Sequence, residues 1–95
     1  MKIRRIKQTD FNQVRILLTN SFNSRYNKPF TAQNFSDSKN IILIAEIHGA
    51  IVGVASLHII QKLTRKMGLI EDVAVDSKLR GNGIGKKLIE NLVDY

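Results

Sequence analysis

Arg80-Gly81-Asn82-Gly83-Ile84-Gly85-Lys86 decides how this chain is read, because it separates the apolar run Leu69–Val75 from a helix-periodic tail, Leu88–Tyr95. The order is strand, glycine-rich turn, helix start. Alternating glycines permit positive φ and close approach of another molecule to the backbone, and the first turn of the helix that follows carries N–H groups without intrahelical partners. Such a junction suits an anion, phosphate above all, although glycines of this kind also make ordinary tight turns. Spacing removes two well-known phosphate loops. A P-loop has four residues between its glycines and then Lys-Ser/Thr, whereas Gly81 and Gly85 enclose three and Lys86 is followed by Lys87. A dinucleotide fingerprint needs glycine where Lys86 stands and an acidic residue about 20 positions later.

Upstream of this junction the apolar pattern changes period several times. Ile3 and Ile6 in a basic frame make a short first strand, and Thr9 or Asp10 can cap the helix that follows. Phe11, Val14, Leu17, Leu18 and Phe22 recur at spacings of three and four, which marks one buried helical face. Asn23–Asn40 is polar, holds the only proline, Pro29, and reads as a loop with a short helix from Thr31 through Phe35. Ile41–Ile47, His48-Gly49 and Ala50–Leu63 form a hairpin pattern, two β-branched runs around a two-residue turn. His48 serves that turn, and His58 reads as a strand histidine satisfied by its neighbours. After a basic loop, Leu63–Lys66, a fourth strand runs from about Gly68 to Val75. In the last helix Ile84, Leu88, Leu92 and Val93 line one side, and Lys86, Lys87, Glu90, Asn91 and Asp94 line the other.

Composition sets further bounds. Ninety-five residues with 43% hydrophobic content make one small domain and exclude two. The absence of cysteine removes disulfides, thiolate metal sites and a cysteine nucleophile, and no metal site is expected. Met1–Lys7 is basic and runs into Gln8-Thr9-Asp10 with no apolar stretch for a signal peptide; no 18-residue apolar run occurs either, so a cytoplasmic protein without membrane attachment is expected. The net charge of +7 is concentrated early: residues 1–30 carry seven Lys/Arg against Asp10 alone. That balance would attract a phosphorylated small molecule or nucleic acid by steering, or make only a solvated surface; interleaved aromatics, a helix-turn-helix signature and zinc ligands are missing, which argues against a nucleic-acid partner.

Val73-Ala74-Val75-Asp76 followed by Arg80-Gly81-Asn82-Gly83-Ile84-Gly85 resembles the acetyl-coenzyme A loop of the GNAT acetyltransferases, whose core pattern is Gln/Arg-x-x-Gly-x-Gly/Ala. Arg80, Gly83 and Gly85 match it position for position. Ile70-Glu71-Asp72-Val73-Ala74-Val75-Asp76-Ser77-Lys78 looks closest to the glucosamine-6-phosphate N-acetyltransferases and to bacterial GNAT proteins of unassigned substrate. The resemblance implies an α/β fold of the α+β kind, with a mixed, mainly antiparallel sheet flanked by helices in the order β-α-(α)-β-β-β-α. It also implies that 1–95 is a single, incomplete domain lacking the family's C-terminal strands and helix.

The same resemblance assigns roles. The backbone of Val73, Ala74 and Val75 would pair with the pantetheine arm of acetyl-coenzyme A, the cosubstrate, and Arg80, Gly81, Asn82, Gly83, Ile84, Gly85 and Lys86 would wrap its pyrophosphate. Glu71 occupies the strand position of a catalytic glutamate, and a structural ion pair is the competing reading of that carboxylate. Strand alternation places Glu71 and Asp72 on opposite faces unless a bulge resets it. Asp72, with Arg25, Tyr26 and Lys28 of the polar loop, would contact a small amine acceptor, an aminosugar phosphate by the closest likeness. The tyrosine that protonates the leaving thiolate in many such enzymes lies on a later helix, and Tyr95 does not take its place. An enzyme acetylating a small primary amine is the first reading; a shortened module that holds coenzyme A or a protein partner without catalysis is the second. With its fourth strand left as an apolar edge and part of the last helix uncovered at Ile84, Leu88 and Leu92, the chain would form a homodimer or larger assembly.

Overall fold

The computed structural model describes residues 1–21 and 40–94. Four strands form one antiparallel sheet in sequence order: β1 (Lys2–Arg5), β2 (Asn40–Ile47), β3 (Ala50–Gln61) and β4 (Lys66–Val75). Among the described residues two helices lie on its faces, α1 (Phe11–Ser21) after a short 3₁₀ turn at Gln8–Asp10, and α2 (Ile84–Val93) after a second such turn at Ser77–Leu79. This is the mixed α/β arrangement expected. The third strand ends two residues earlier and the fourth begins two residues earlier than the sequence indicated, because Gln61 and Lys66 still pair. Expectations for Phe22, the loop 23–39 with its short helix, and Tyr95 fall outside the described residues.

Each helix buries the stripe that its periodicity marks. Val14, Leu17 and Leu18 of α1 pack with Ile44, Ile51, Val54 and Ala74 on one face of the sheet. Ile84, Leu88 and Leu92 of α2 pack with Ile41, Leu43, Ala45, Val52 and Ala55 on the other. Two expectations about α2 are thereby corrected. Val93 is 71% exposed, since one further residue of helical rotation carries it off the stripe set by Leu88 and Leu92. Ile84, Leu88 and Leu92 are buried rather than uncovered, because they pack against the apolar face that β2 and β3 present to α2. Gly53 makes this close contact possible: a Cβ there would stand 3.0 Å from both Ile84 Cγ2 and Leu88 Cδ1.

The other end of the sheet is tied by charge. Arg4 of β1 donates to both carboxylate oxygens of Asp10 (2.8 and 2.9 Å) and to Glu46 of β2 (3.0 and 2.9 Å). Asp10 also accepts from the Lys7 backbone N–H at 2.7 Å. The buried Asp10 carboxyl is held below its ordinary range, first by the Arg4 hydrogen bonds and then by the Lys7 N–H, which together outweigh its desolvation. The network fixes the entry of α1 relative to β1 and β2, and Gln13 then anchors the helix to β3 by accepting from Ile51 N–H at 3.3 Å.

One turn and one bulge set the register of β2 and β3. His48 (φ 50°) and Gly49 (φ 81°) both take left-handed conformations, as a two-residue hairpin turn between twisted strands requires. Beyond it, the β2–β3 register shifts between Ala45 and Glu46, leaving Val52 as an extra residue on β3.

Candidate functional site

β4 is an edge strand among the described residues, and its ladder with β3 is interrupted. Val54 pairs with Ala74 and Ser56 pairs with Glu71, so Asp72 and Val73 together oppose Ala55. That is a β-bulge in which Asp72 and Val73 share one partner, while Glu71 keeps its regular pairing with Ser56, so the break in strand alternation falls between Asp72 and Val73 and not between Glu71 and Asp72. On the far side of it, Ala74 is buried under α1, while Val75 is half-buried toward α2. Val73 is 37% exposed, and Leu69 and Ile70 are similarly open.

The chain leaves β4 through a braced connection. Asp76 N–H donates to the Val52 carbonyl at 2.8 Å, continuing the sheet by one bond, and the Asp76 carboxylate accepts from Lys78 N–H at 3.0 Å. Asn82 Nδ2 donates to the Leu79 carbonyl at 3.1 Å. Glycine is needed where the loop turns: Gly81 (φ 89°) and Gly83 (φ 77°) both occupy the left-handed region, and a Cβ on either would meet no protein atom within 4 Å. The backbone there is open to a partner from outside.

Gly83 is the N-cap of α2 and offers no capping side chain, and no acidic residue stands in the first turn. Lys86 and Lys87, the third and fourth helical residues, carry positive charge where the helix dipole is already positive. Uncapped N–H groups beside misplaced cations are what an anion would complement. This end of α2 rests on the bulged strand, since a Cβ on Gly85 would stand 3.6 Å from Val75 Cγ2 and 3.8 Å from Val73 Cγ1. Three features expected from the sequence thus converge: the exposed strand edge at 73–75, the glycine turn and the helix N-terminus.

Individual side chains divide differently. Ile84 and Ala74 are buried in the two cores, so only their backbones are available to a ligand. Arg80 is exposed and reaches back with Nε 3.5 Å from the Val75 carbonyl. It borders an open groove of 240 Å³ on the α1 side, lined also by Leu17, Asn20, Val75, Asp76 and Ser77. Arg25, Tyr26 and Lys28 lie outside the described residues. Glu71 and Asp72 are placed by their strand positions alone, next to and within the bulge. Among the described residues no cluster of metal-ligating side chains occurs, and no helix is long and apolar enough to cross a membrane.

Sequence reasoning passed over one polar pair. His58 of β3 is registered with Asn40 of β2, and its Nδ1 is hydrogen-bonded to Asn40 Oδ1. Counting outward from the hairpin turn without a bulge sets Asn40 opposite Leu57; the extra residue Val52 moves it to His58.

A bulged edge strand thus leads into a glycine-capped helix, on a sheet with helices on both faces. Residues 4–95 match the acetyltransferase (GNAT) family, and the chain belongs to it. Among individual proteins, it is 40% identical over 67 residues to the glucosamine 6-phosphate N-acetyltransferase of Arabidopsis thaliana, a match covering 66% of this chain and 45% of that one. The enzyme of the same name from Trypanosoma brucei brucei is 53% identical over 49 residues, covering 48% of this chain and 33% of that protein. The chain therefore spans less than half the length of these curated relatives. The crystal structure of the Arabidopsis thaliana enzyme superposes with a TM-score of 0.78 at 30% identity, over 98% of this chain and 71% of the other.

Proposed function

We infer that this chain carries the acetyl-coenzyme A site of an N-acetyltransferase acting on a small primary amine, and that the amine is an aminosugar phosphate such as glucosamine 6-phosphate. The observation that carries the reading is the junction of the bulged β4 edge with the glycine-capped start of α2. The substrate class comes from the names of the relatives.

The residues fit the cosubstrate. Its pyrophosphate suits the open backbone at Gly81 and Gly83, the first-turn N–H groups from Ile84 to Lys86, and the charges of Lys86 and Arg80. Its amide-bearing arm suits the outer edge of Val73–Val75, where backbone groups can pair with it as with a fifth strand. When bound, acetyl-coenzyme A supplies a thioester carbon for attack by the amine.

The chain's part is to orient the reactants and to move one proton. The bulge turns backbone groups at Asp72–Val73 out of the ladder, which frees an N–H to polarise a carbonyl placed there. Glu71 takes the proton that an ammonium must lose before it can attack, directly or through water. Asp72, and Arg25, Tyr26 and Lys28 from the segment before β2, hold the acceptor. A thiol-release assay with glucosamine 6-phosphate, run beside calorimetry with coenzyme A, tests the reading. Binding with amine-dependent release supports an enzyme, binding with no release supports a module that only holds the cosubstrate, and absence of binding refutes both.

A further inference from the structure

The Asn40–His58 pair joins β2 to β3 on the stretch of β3 that pairs with the first half of β4. An amide oxygen has only lone pairs to offer, so the hydrogen bond from His58 Nδ1 to Asn40 Oδ1 requires the ring proton at Nδ1. In the neutral imidazole that leaves Nε2 as the acceptor. The ring is thus set in one tautomer by a neighbouring strand rather than by solvent.

Register relates this ring to the proposed proton acceptor. Ser56 pairs with Glu71 and His58 with Leu69, with no shift between the two pairs, so His58 and Glu71 are diagonal neighbours across β3 and β4. Diagonal positions in an antiparallel pair are about 7–8 Å apart, which one small molecule can span. The buried cluster under α1 is built at the other end of β3, on Ile51 and Val54, and His58 is only half-buried. A ring fixed by a polar partner, half-buried and diagonal in register to the Glu71 position, is poorly explained by packing alone.

We propose that His58 is an acceptor-recognition residue whose Nε2 accepts a hydrogen bond from a hydroxyl or ammonium group of the amino sugar, with Asn40 as the positioning residue that fixes the ring. The proposal rests on the acetyltransferase reading. It makes amines with a neighbouring hydroxyl better acceptors than plain alkylamines, because a polyol presents donors to Nε2 and the carboxylate together.

Long-range proton–nitrogen NMR on the whole chain tests it without a variant. Nδ1 should be protonated, and the His58 Nε2 resonance should move when glucosamine 6-phosphate is added to the chain saturated with coenzyme A. His58→Phe should weaken binding of glucosamine 6-phosphate about tenfold, the size of one net hydrogen bond, while coenzyme A affinity stays unchanged. Asn40→Ala should mix the tautomers and weaken binding less, and His58→Gln should recover part of the loss. An unprotonated Nδ1, a His58 signal unmoved by saturating glucosamine 6-phosphate, or wild-type affinity in folded His58→Phe overturns the inference alone. Failure of the wild-type chain to bind coenzyme A in the same sample overturns the acetyltransferase reading and this inference with it.

Discussion

Alanine at Gly83 separates backbone strain from ligand access. Gly83 caps α2 at φ 77° and ψ 13°, and an added Cβ meets no protein atom within 4 Å. The cost to folding is therefore conformational only, about 1–2 kcal/mol for an L-residue in the left-handed region. In a domain of this size that lowers Tm by roughly 4–16 °C. The methyl group stands on the open side of the turn, where a phosphate would come closest. Losing one or two N–H contacts to a charged oxygen, at about 1.5–3 kcal/mol each, weakens coenzyme A binding by about tenfold or more. Thermal melting followed by circular dichroism and calorimetric titration with coenzyme A read the two effects separately; Gly81→Ala, at φ 89°, provides a parallel case. An unchanged Tm would refute the strain argument. A folded variant with undiminished coenzyme A affinity would refute the phosphate cradle.

Glu71→Gln should lower thiol release with glucosamine 6-phosphate by about a hundredfold or more, the usual scale of positioned acid–base catalysis, and leave coenzyme A affinity nearly intact; a matching loss of Tm would assign Glu71 to an ion pair instead. The depressed Asp10 carboxyl binds protons less readily in the folded state than in the unfolded one. Its stabilising effect is complete above the ordinary value of 3.8 and is lost as pH falls through the folded value. Asp10→Asn should therefore be less stable at neutral pH and lose that part of the acid dependence, as measured by urea unfolding at a series of pH values. The β4 edge exposes Leu69, Ile70 and Val73, so the 95-residue polypeptide should associate into dimers in light scattering over a dilution series; a cooperatively unfolding monomer at micromolar concentration would show that the edge needs no cover.

The strands, the hairpin turn and the glycine junction were legible because each rests on local chemistry: β-branched runs, two residues able to take positive φ, and alternating glycines. α1 was legible through the spacing of Val14, Leu17 and Leu18. Val93 was misplaced because an apolar residue adjacent to Leu92 looks like part of the stripe until the helix is given its full rotation per residue. The bulges were harder, since one extra residue at Val52 or at Asp72–Val73 leaves no mark in composition and yet shifts every pairing beyond it. The Asn40–His58 contact depends on the first of these. The Arg4–Asp10–Glu46 network joins residues distant in sequence through charges that, read singly, look like solvated surface.

Amide chemical shifts of the isotopically labelled chain during titration with coenzyme A test the central claim most directly. Perturbations should concentrate on Val73–Val75 and on Gly81–Lys86, where the bulged edge meets the start of α2, and should leave the Arg4–Asp10–Glu46 end of the sheet unmoved. Saturable binding that instead perturbs other surfaces, or no binding at millimolar coenzyme A, would contradict it.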